Sequence, residues 1–204
     1  MPKPVFPYGK AARIWPGETV VILASGPSLT EADCDYVRGK ARVIAINSTY
    51  RLAPWADVLY ACDARWWVWH QGAKDFAGLK FALTKDAARW PGVVVLKNTG
   101  TNGLEHDPHG LKNGRNGGYQ SINLAVHLGA TRIVLLGFDM QKGPKGEQHW
   151  HEDHPNKIGP DYRKWLGLFE TLVGPLKKVG VEVINCTRST RLACFPCASL
   201  ESVL

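Results

Sequence analysis

The 204-residue chain has no apolar run approaching the roughly 20 residues that a membrane-spanning helix requires. Its opening stretch, MPKPVFPYGKAARIWPGE, lacks the continuous apolar centre of a secretory signal. Both absences point to a cytoplasmic protein with no membrane partner. Cysteine is scarce: Cys34, Cys62, Cys186, Cys194 and Cys197 are odd in number and too sparse for a disulfide framework. The single Cys-Phe-Pro-Cys pair at Cys194 and Cys197 has no second pair to complete a zinc ribbon, so burial as small apolar side chains is expected. Internal repeats and low-complexity segments are also missing. With 45% hydrophobic residues, the chain is long enough for one packed domain over residues 1–204 and short for two.

Two nucleotide signatures are missing as well. The first Gly-containing turn carries neither the second and third glycines of the dinucleotide fingerprint nor the Gly-Lys-Ser/Thr of a P-loop. What stands there instead is VILASGPSLTEAD, residues 21–33, an apolar strand that runs into a Ser-Gly-Pro-Ser turn and then a helix.

Short β-branched runs alternate with helical patterns along the chain. Strands are expected at 19–24, 42–46, 57–61, 93–96, 132–136 and 181–184, with a weaker one at 81–83. Helices are expected at 29–38, 118–128 and 161–179, an irregular arm at 1–16, a polar loop at 97–116 and a short terminal helix within 198–204. The Gly-, Lys- and His-rich stretch 137–159 is too long for an ordinary connection and is read as a lid. This alternation is the mark of an α/β domain: a single Rossmann-like domain, a mostly parallel sheet with helices on both faces.

Ligands of such sheets bind beyond the carboxyl ends of the strands, near the point where strand order reverses. The residues expected just past those ends are Ser25, Gly26, Pro27 and Ser28, then Asn47, Asp63 and Asp139. The same edge receives GRNGGYQS, where Asn116, Gly117 and Gly118 open a helix. A glycine after a strand lets a ligand approach the backbone, and the next helix directs N–H groups and partial positive charge toward it, which suits phosphate. A side chain at Gly26 would then fill the space meant for that phosphate. A plain capped turn accounts for the same tetrapeptide.

Two further features carry chemistry. QHWHEDHP, residues 148–155, places His149, His151 and His154 beside Glu152 and Asp153, a set compatible with a metal site, a general base or a solvated loop, although its spacing matches no strong metal signature. The tryptophans Trp66, Trp67 and Trp69 follow a strand and offer surface on which a base or sugar could stack. The formal net charge of +7 fits anionic partners without choosing among nucleotides, nucleic acid and acidic polymers.

Taken in order, VILASGPSLTEAD, AINS, NGGYQSINLAVHLGATRIVLLGFDMQ and a histidine-containing loop resemble the bacterial sialyltransferases that use a CMP-linked donor. They also resemble a related family of unknown function that contains flagellin-modification proteins and the archaeal hydroxymethylpterin pyrophosphokinase. The segment APWADVLYACDARWW is similar to small proteins of tailed phages and prophages, which would place the chain in a bacterial host. The sialyltransferase resemblance implies a nucleotide-sugar-dependent transferase. Ser25, Gly26, Pro27, Ser28 and Asn47 would face the nucleotide, Asn116, Gly117 and Gly118 its phosphate or ribose, and His151 or His154 would be the base. Asp63 would assist at the nucleoside, and Lys142 and Lys145 would close over the leaving group. Ser25 stands where that family usually has asparagine, and its lid tyrosines have no evident counterpart directly after Asp139. The acceptor hydroxyl could belong to nucleic acid. Two other readings remain open: a pyrophosphokinase with magnesium on Asp63 and Asp139, and a non-catalytic binder of nucleic acid or a host protein.

Overall fold

The computed structural model describes residues 6–152 and 159–204. Seven strands form one all-parallel sheet in the order β5-β4-β3-β2-β1-β8-β9. They are β1 (Thr19–Leu23), β2 (Arg42–Ile46), β3 (Val58–Tyr60), β4 (Leu79–Ala82), β5 (Val93–Val95), β8 (Arg132–Leu136) and β9 (Glu182–Asn185). A second, two-stranded parallel ladder joins β6 (Lys97–Asn98) to β7 (Gly110–Leu111). The helices are α1 (Glu31–Val37), α2 (Ala64–Trp69), α3 (Gly117–Leu128), α4 (Tyr162–Lys178) and α5 (Leu200–Val203).

Period-two alternation explains how the sheet is buried on both faces. Val20 and Ile22 of β1, Ile44 and Ile46 of β2, Val58 and Tyr60 of β3, and Ile133 and Leu135 of β8 pack in the layer that holds α3 and α4. The intervening Val21, Leu23, Val43, Ala45, Leu59, Val134 and Leu136 pack in the opposite layer with α1 and α2. The chain is therefore a Rossmann-like α/β fold, as the alternation of elements implies.

The starts of α1, α2, α3 and α4 are fixed by polar caps. Thr30 and Asp33 form a reciprocal capping box at α1. Asp63 caps α2 and Asn116 caps α3, the latter accepting from the Gly118 and Tyr119 amides at 2.8 and 3.2 Å. Gly129, at φ 110°, closes α3 in a left-handed conformation open mainly to glycine. Both sheet edges are covered. The Gly9 amide bonds to the Val95 carbonyl beside β5, and residues 196–198 pair with Asn185 of β9.

Several elements differ from the sequence expectations. The region 97–116 contains β6 and β7 instead of being wholly loop, because two-residue strands carry no periodic signal. Strand β4 begins at Leu79, earlier than expected, since its first two residues are not buried and so leave no apolar run. The tryptophan segment is a helix, α2, and Trp66 and Trp67 are 2% and 0% exposed. Those two rings are core, and Trp67 donates its indole N–H to the Ala61 carbonyl at 3.0 Å. Cys194 and Cys197, expected to be buried, are half-buried and exposed.

Candidate functional site

The strand order reverses beside β1. From β1 the chain runs outward through β2, β3, β4 and β5, then returns through α3 to lay β8 on the other side of β1. At the carboxyl ends of these strands lies a cavity of about 340 Å³. Ser25 and Gly26 line it from the turn after β1, Asn47 from β2, Asp63 from β3 and Asp139 from β8. Asn116, Gly117 and Gly118 enter from the start of α3. These eight residues, scattered over 115 positions of sequence, meet because every parallel strand delivers its end to one edge.

Not every residue of the first turn faces the cavity. Ser28 points instead to Asp139: its amide donates to Oδ2 at 3.0 Å and its hydroxyl to Oδ1 at 2.9 Å. Pro27 is likewise absent from the lining and lies against Gly143 of the following loop. Gly26 has a structural reason as well. A Cβ there would run into Asp139 and the Gly137 carbonyl, so the space is filled by the protein's own groups and is not kept for phosphate. Gly118 is similar, since its Cβ would meet Phe138 at 2.5 Å. Gly117 differs: its Cβ would have Ile46 Cγ2 at 3.2 Å as its one close neighbour among the described residues.

The backbone around the cavity is unusual. Of the five non-glycine residues with positive φ among the described residues, Asn47 (50°), Arg115 (54°) and Met140 (51°) line it. Such conformations carry a cost and tend to collect at ligand sites. Asparagine adopts this region more readily than other residues, which explains Asn47, whereas Arg115 and Met140 have no such help.

Burial pushes the Asp139 carboxyl above its usual range, against the opposing pull of its two hydrogen bonds from Ser28. Asp63 is differently occupied. It accepts from the Arg65 amide at 2.8 Å and pairs with the Arg65 guanidinium at 2.8 Å. Both carboxylates are thus engaged with protein groups, and no cluster of three or more metal-ligating side chains exists among the described residues. The magnesium reading on Asp63 and Asp139 gains nothing from this arrangement.

The loop after β8, expected to be a lid, differs from expectation in which side chains it delivers. Lys142 and Lys145 are exposed and absent from the lining, because residues 143–147 close a local turn in which the Gly143 amide donates to the Glu147 carbonyl at 2.8 Å. Gln141, Gln148 and His149 line the cavity instead. His151 is not in the lining but stacks on His149, with ring centroids 5.0 Å apart and an interplanar angle of 8°. His154 lies outside the described residues.

Sequence reasoning named Trp69 but missed the part of the aromatic wall that α4 supplies. Tyr162 and Trp165, one helical turn apart at the start of α4, line one part of the cavity, and Trp69 of α2 lines another. Burial, and then the charge of Asp139, raise the Tyr162 phenol above its usual range. The available signal was the spacing Tyr162–Trp165 directly after the lid, which places both side chains on one helix face. Of the three neighbouring tryptophans, Trp69 is the half-buried one.

Fold and cavity together define a Rossmann-like α/β protein with a cleft at its strand-order reversal. No protein-family model, curated protein or solved structure matches the chain.

Proposed function

We propose that the cavity binds a nucleotide-linked donor, and that the protein is a glycosyltransferase-like enzyme passing the donor's sugar to an acceptor hydroxyl. The observation that carries this reading is the lining itself: a capped helix N-terminus with Gly117 beside it, a polar floor of strand-end residues, and aromatic walls. The α3 N-terminus and Arg115 would receive phosphate. Asn47 and Trp69 would hold the nucleoside, with the aromatic face giving affinity and the amide giving orientation.

Among the described residues His149 is the histidine of this loop that lines the cavity, and it would take the role of base that the resemblance assigned to His151 or His154. The neutral imidazole would remove the acceptor proton while the acceptor oxygen forms its bond to the sugar's anomeric carbon. The bond from that carbon to the phosphate oxygen breaks, and the nucleotide leaves with the electron pair. Tyr162, with a phenol that stays protonated at neutral pH, would donate a hydrogen bond to the departing phosphate.

The test is incubation with CMP-, UDP- and GDP-linked sugars, measuring free nucleotide. One donor class should be turned over, and His149→Gln should slow that release by about 10²–10⁴-fold while leaving donor affinity within a few-fold. If none of these donors or their nucleotides binds, the reading is wrong.

A further inference from the structure

The loop that brings His149 to the cavity is tied to Ser189 and Arg191 at Gln141 and to the turns after β1 and β2 at Trp150, and the hydrogen bonds at Trp150 can be counted. Thr49 is fully buried, and its hydroxyl offers one proton and two lone pairs. The proton goes to the Ala24 carbonyl at 3.2 Å. One lone pair accepts the Trp150 indole N–H at 3.1 Å. With its own proton committed, Thr49 receives the Ser25 hydroxyl at 3.3 Å on the other. A single hydroxyl thus joins the turn after β1, the turn after β2 and the loop after β8.

Trp150 is held a second time, by its backbone amide on the Ser25 carbonyl at 3.1 Å. Its ring packs against the core layer of α1 and α2 and stands edge-on to His151, with centroids 5.0 Å apart, while His151 in turn stacks on His149. Backbone continuity and ring contacts therefore both transmit the position of Trp150 to His149.

We infer that Trp150, anchored on the Thr49 hydroxyl, is a positioning residue that fixes His149 in the cavity. A catalytic role for the imidazole so fixed rests on the proposed function; the anchor itself does not. A hydrogen-bonded indole gives a loop both a deep apolar foot and a direction, and a half-ångström change in such a support is enough to loosen a site.

Hydrogen–deuterium exchange of peptides spanning 141–152 tests this without any ligand. Trp150→Phe keeps an aromatic ring and removes the N–H, and Thr49→Val removes the acceptor. Each should raise exchange at least tenfold, Thr49→Ser should retain the wild-type pattern, and the double variant Trp150→Phe/Thr49→Val should exceed the larger single effect by less than twofold, since either substitution already removes the bond between the Trp150 indole and Thr49. Wild-type exchange in Trp150→Phe, or multiplicative effects in the double variant, would overturn the inference; Trp150→Phe alone decides the matter if Thr49→Val does not fold. In a parallel arm, affinity of Trp150→Phe for whichever of CMP, UDP and GDP the wild type binds should stay within threefold of wild type while nucleotide release from the matching donor falls at least tenfold. Absence of CMP, UDP and GDP binding and of donor turnover in the wild type, with the exchange pattern as expected, would remove the transferase reading and leave the anchor standing. Normal turnover in Trp150→Phe would refute the positioning role.

Discussion

Gly26→Ala separates a glycine needed by the fold from one needed by a ligand. The added Cβ would lie 2.7 Å from Asp139 Cγ, and closer still to that carboxylate's Oδ1 and to the Gly137 carbonyl oxygen. The carbonyl belongs to the backbone immediately after β8, and the carboxylate is tied to Ser28 by two hydrogen bonds, so neither can retreat freely. Forcing an extra methyl into a filled site costs about 1–3 kcal/mol. Displacing Asp139 would also forfeit hydrogen bonds to a charged group worth about 1.5–3 kcal/mol each. With one of the two hydrogen bonds lost, a total of about 2.5–6 kcal/mol follows, a large part of the roughly 5–15 kcal/mol that holds a domain folded. Urea denaturation should therefore show a lower midpoint, and Tm should fall by about 5–24 °C, at roughly 2–4 °C per kcal/mol for a chain of this length. In an Asp139→Ala background the same substitution should cost less, because one of the two obstacles is gone. A Gly26→Ala protein within about 0.5 kcal/mol of wild type would refute this account of the turn.

The other substitutions divide fold from site. Trp67→Ala should destabilise by about 3–5 kcal/mol in urea melts, because a wholly buried ring is removed, while Trp69→Ala should keep wild-type stability within about 1 kcal/mol and weaken nucleotide binding. Gly117→Ala, with Ile46 Cγ2 as its close neighbour, should fold normally and lower nucleotide affinity about tenfold by calorimetry. Glu105 is held down to about 2 by the adjacent Thr99 hydroxyl, the amides of Asp107 and His106, and Lys112. Its carboxylate thus stabilises the fold above the unfolded value near 4.3, and that contribution of about 1–3 kcal/mol should vanish as pH falls from 5 to 2. The stability difference between wild type and Glu105→Gln, followed by urea melts across that range, should shrink accordingly.

The sheet was legible because parallel strands buried on both faces are written as β-branched runs, and 42–46 and 132–136 match β2 and β8 to the residue. The edge at which ligands bind followed from topology, so the strand-end positions Gly26, Asn47, Asp63 and Asp139 could be brought together from sequence. What each does there was less readable. Gly26 and Ser28 look like a phosphate cradle in isolation, and only the distant Asp139 reveals that they serve a turn clamped to β8. The loop after β8 stands out by its length, but its contact with the sheet depends on Trp150 and Thr49, 101 residues apart, a pairing that no local pattern encodes. Arg115 and Met140 owe their prominence to left-handed backbone, which is visible only in three dimensions.

The central claim is that a nucleotide phosphate docks at the start of α3 with its base on the aromatic wall. Titration of the ¹⁵N-labelled protein with CMP, CDP, UDP and GDP, followed by ¹H–¹⁵N correlation spectra, tests it directly. Saturable shifts should appear at the amides of Arg115, Asn116 and Gly117 and at the indole N–H of Trp69 or Trp165. Spectra unchanged at millimolar nucleotide, or shifts confined to residues outside the cavity, would contradict the claim.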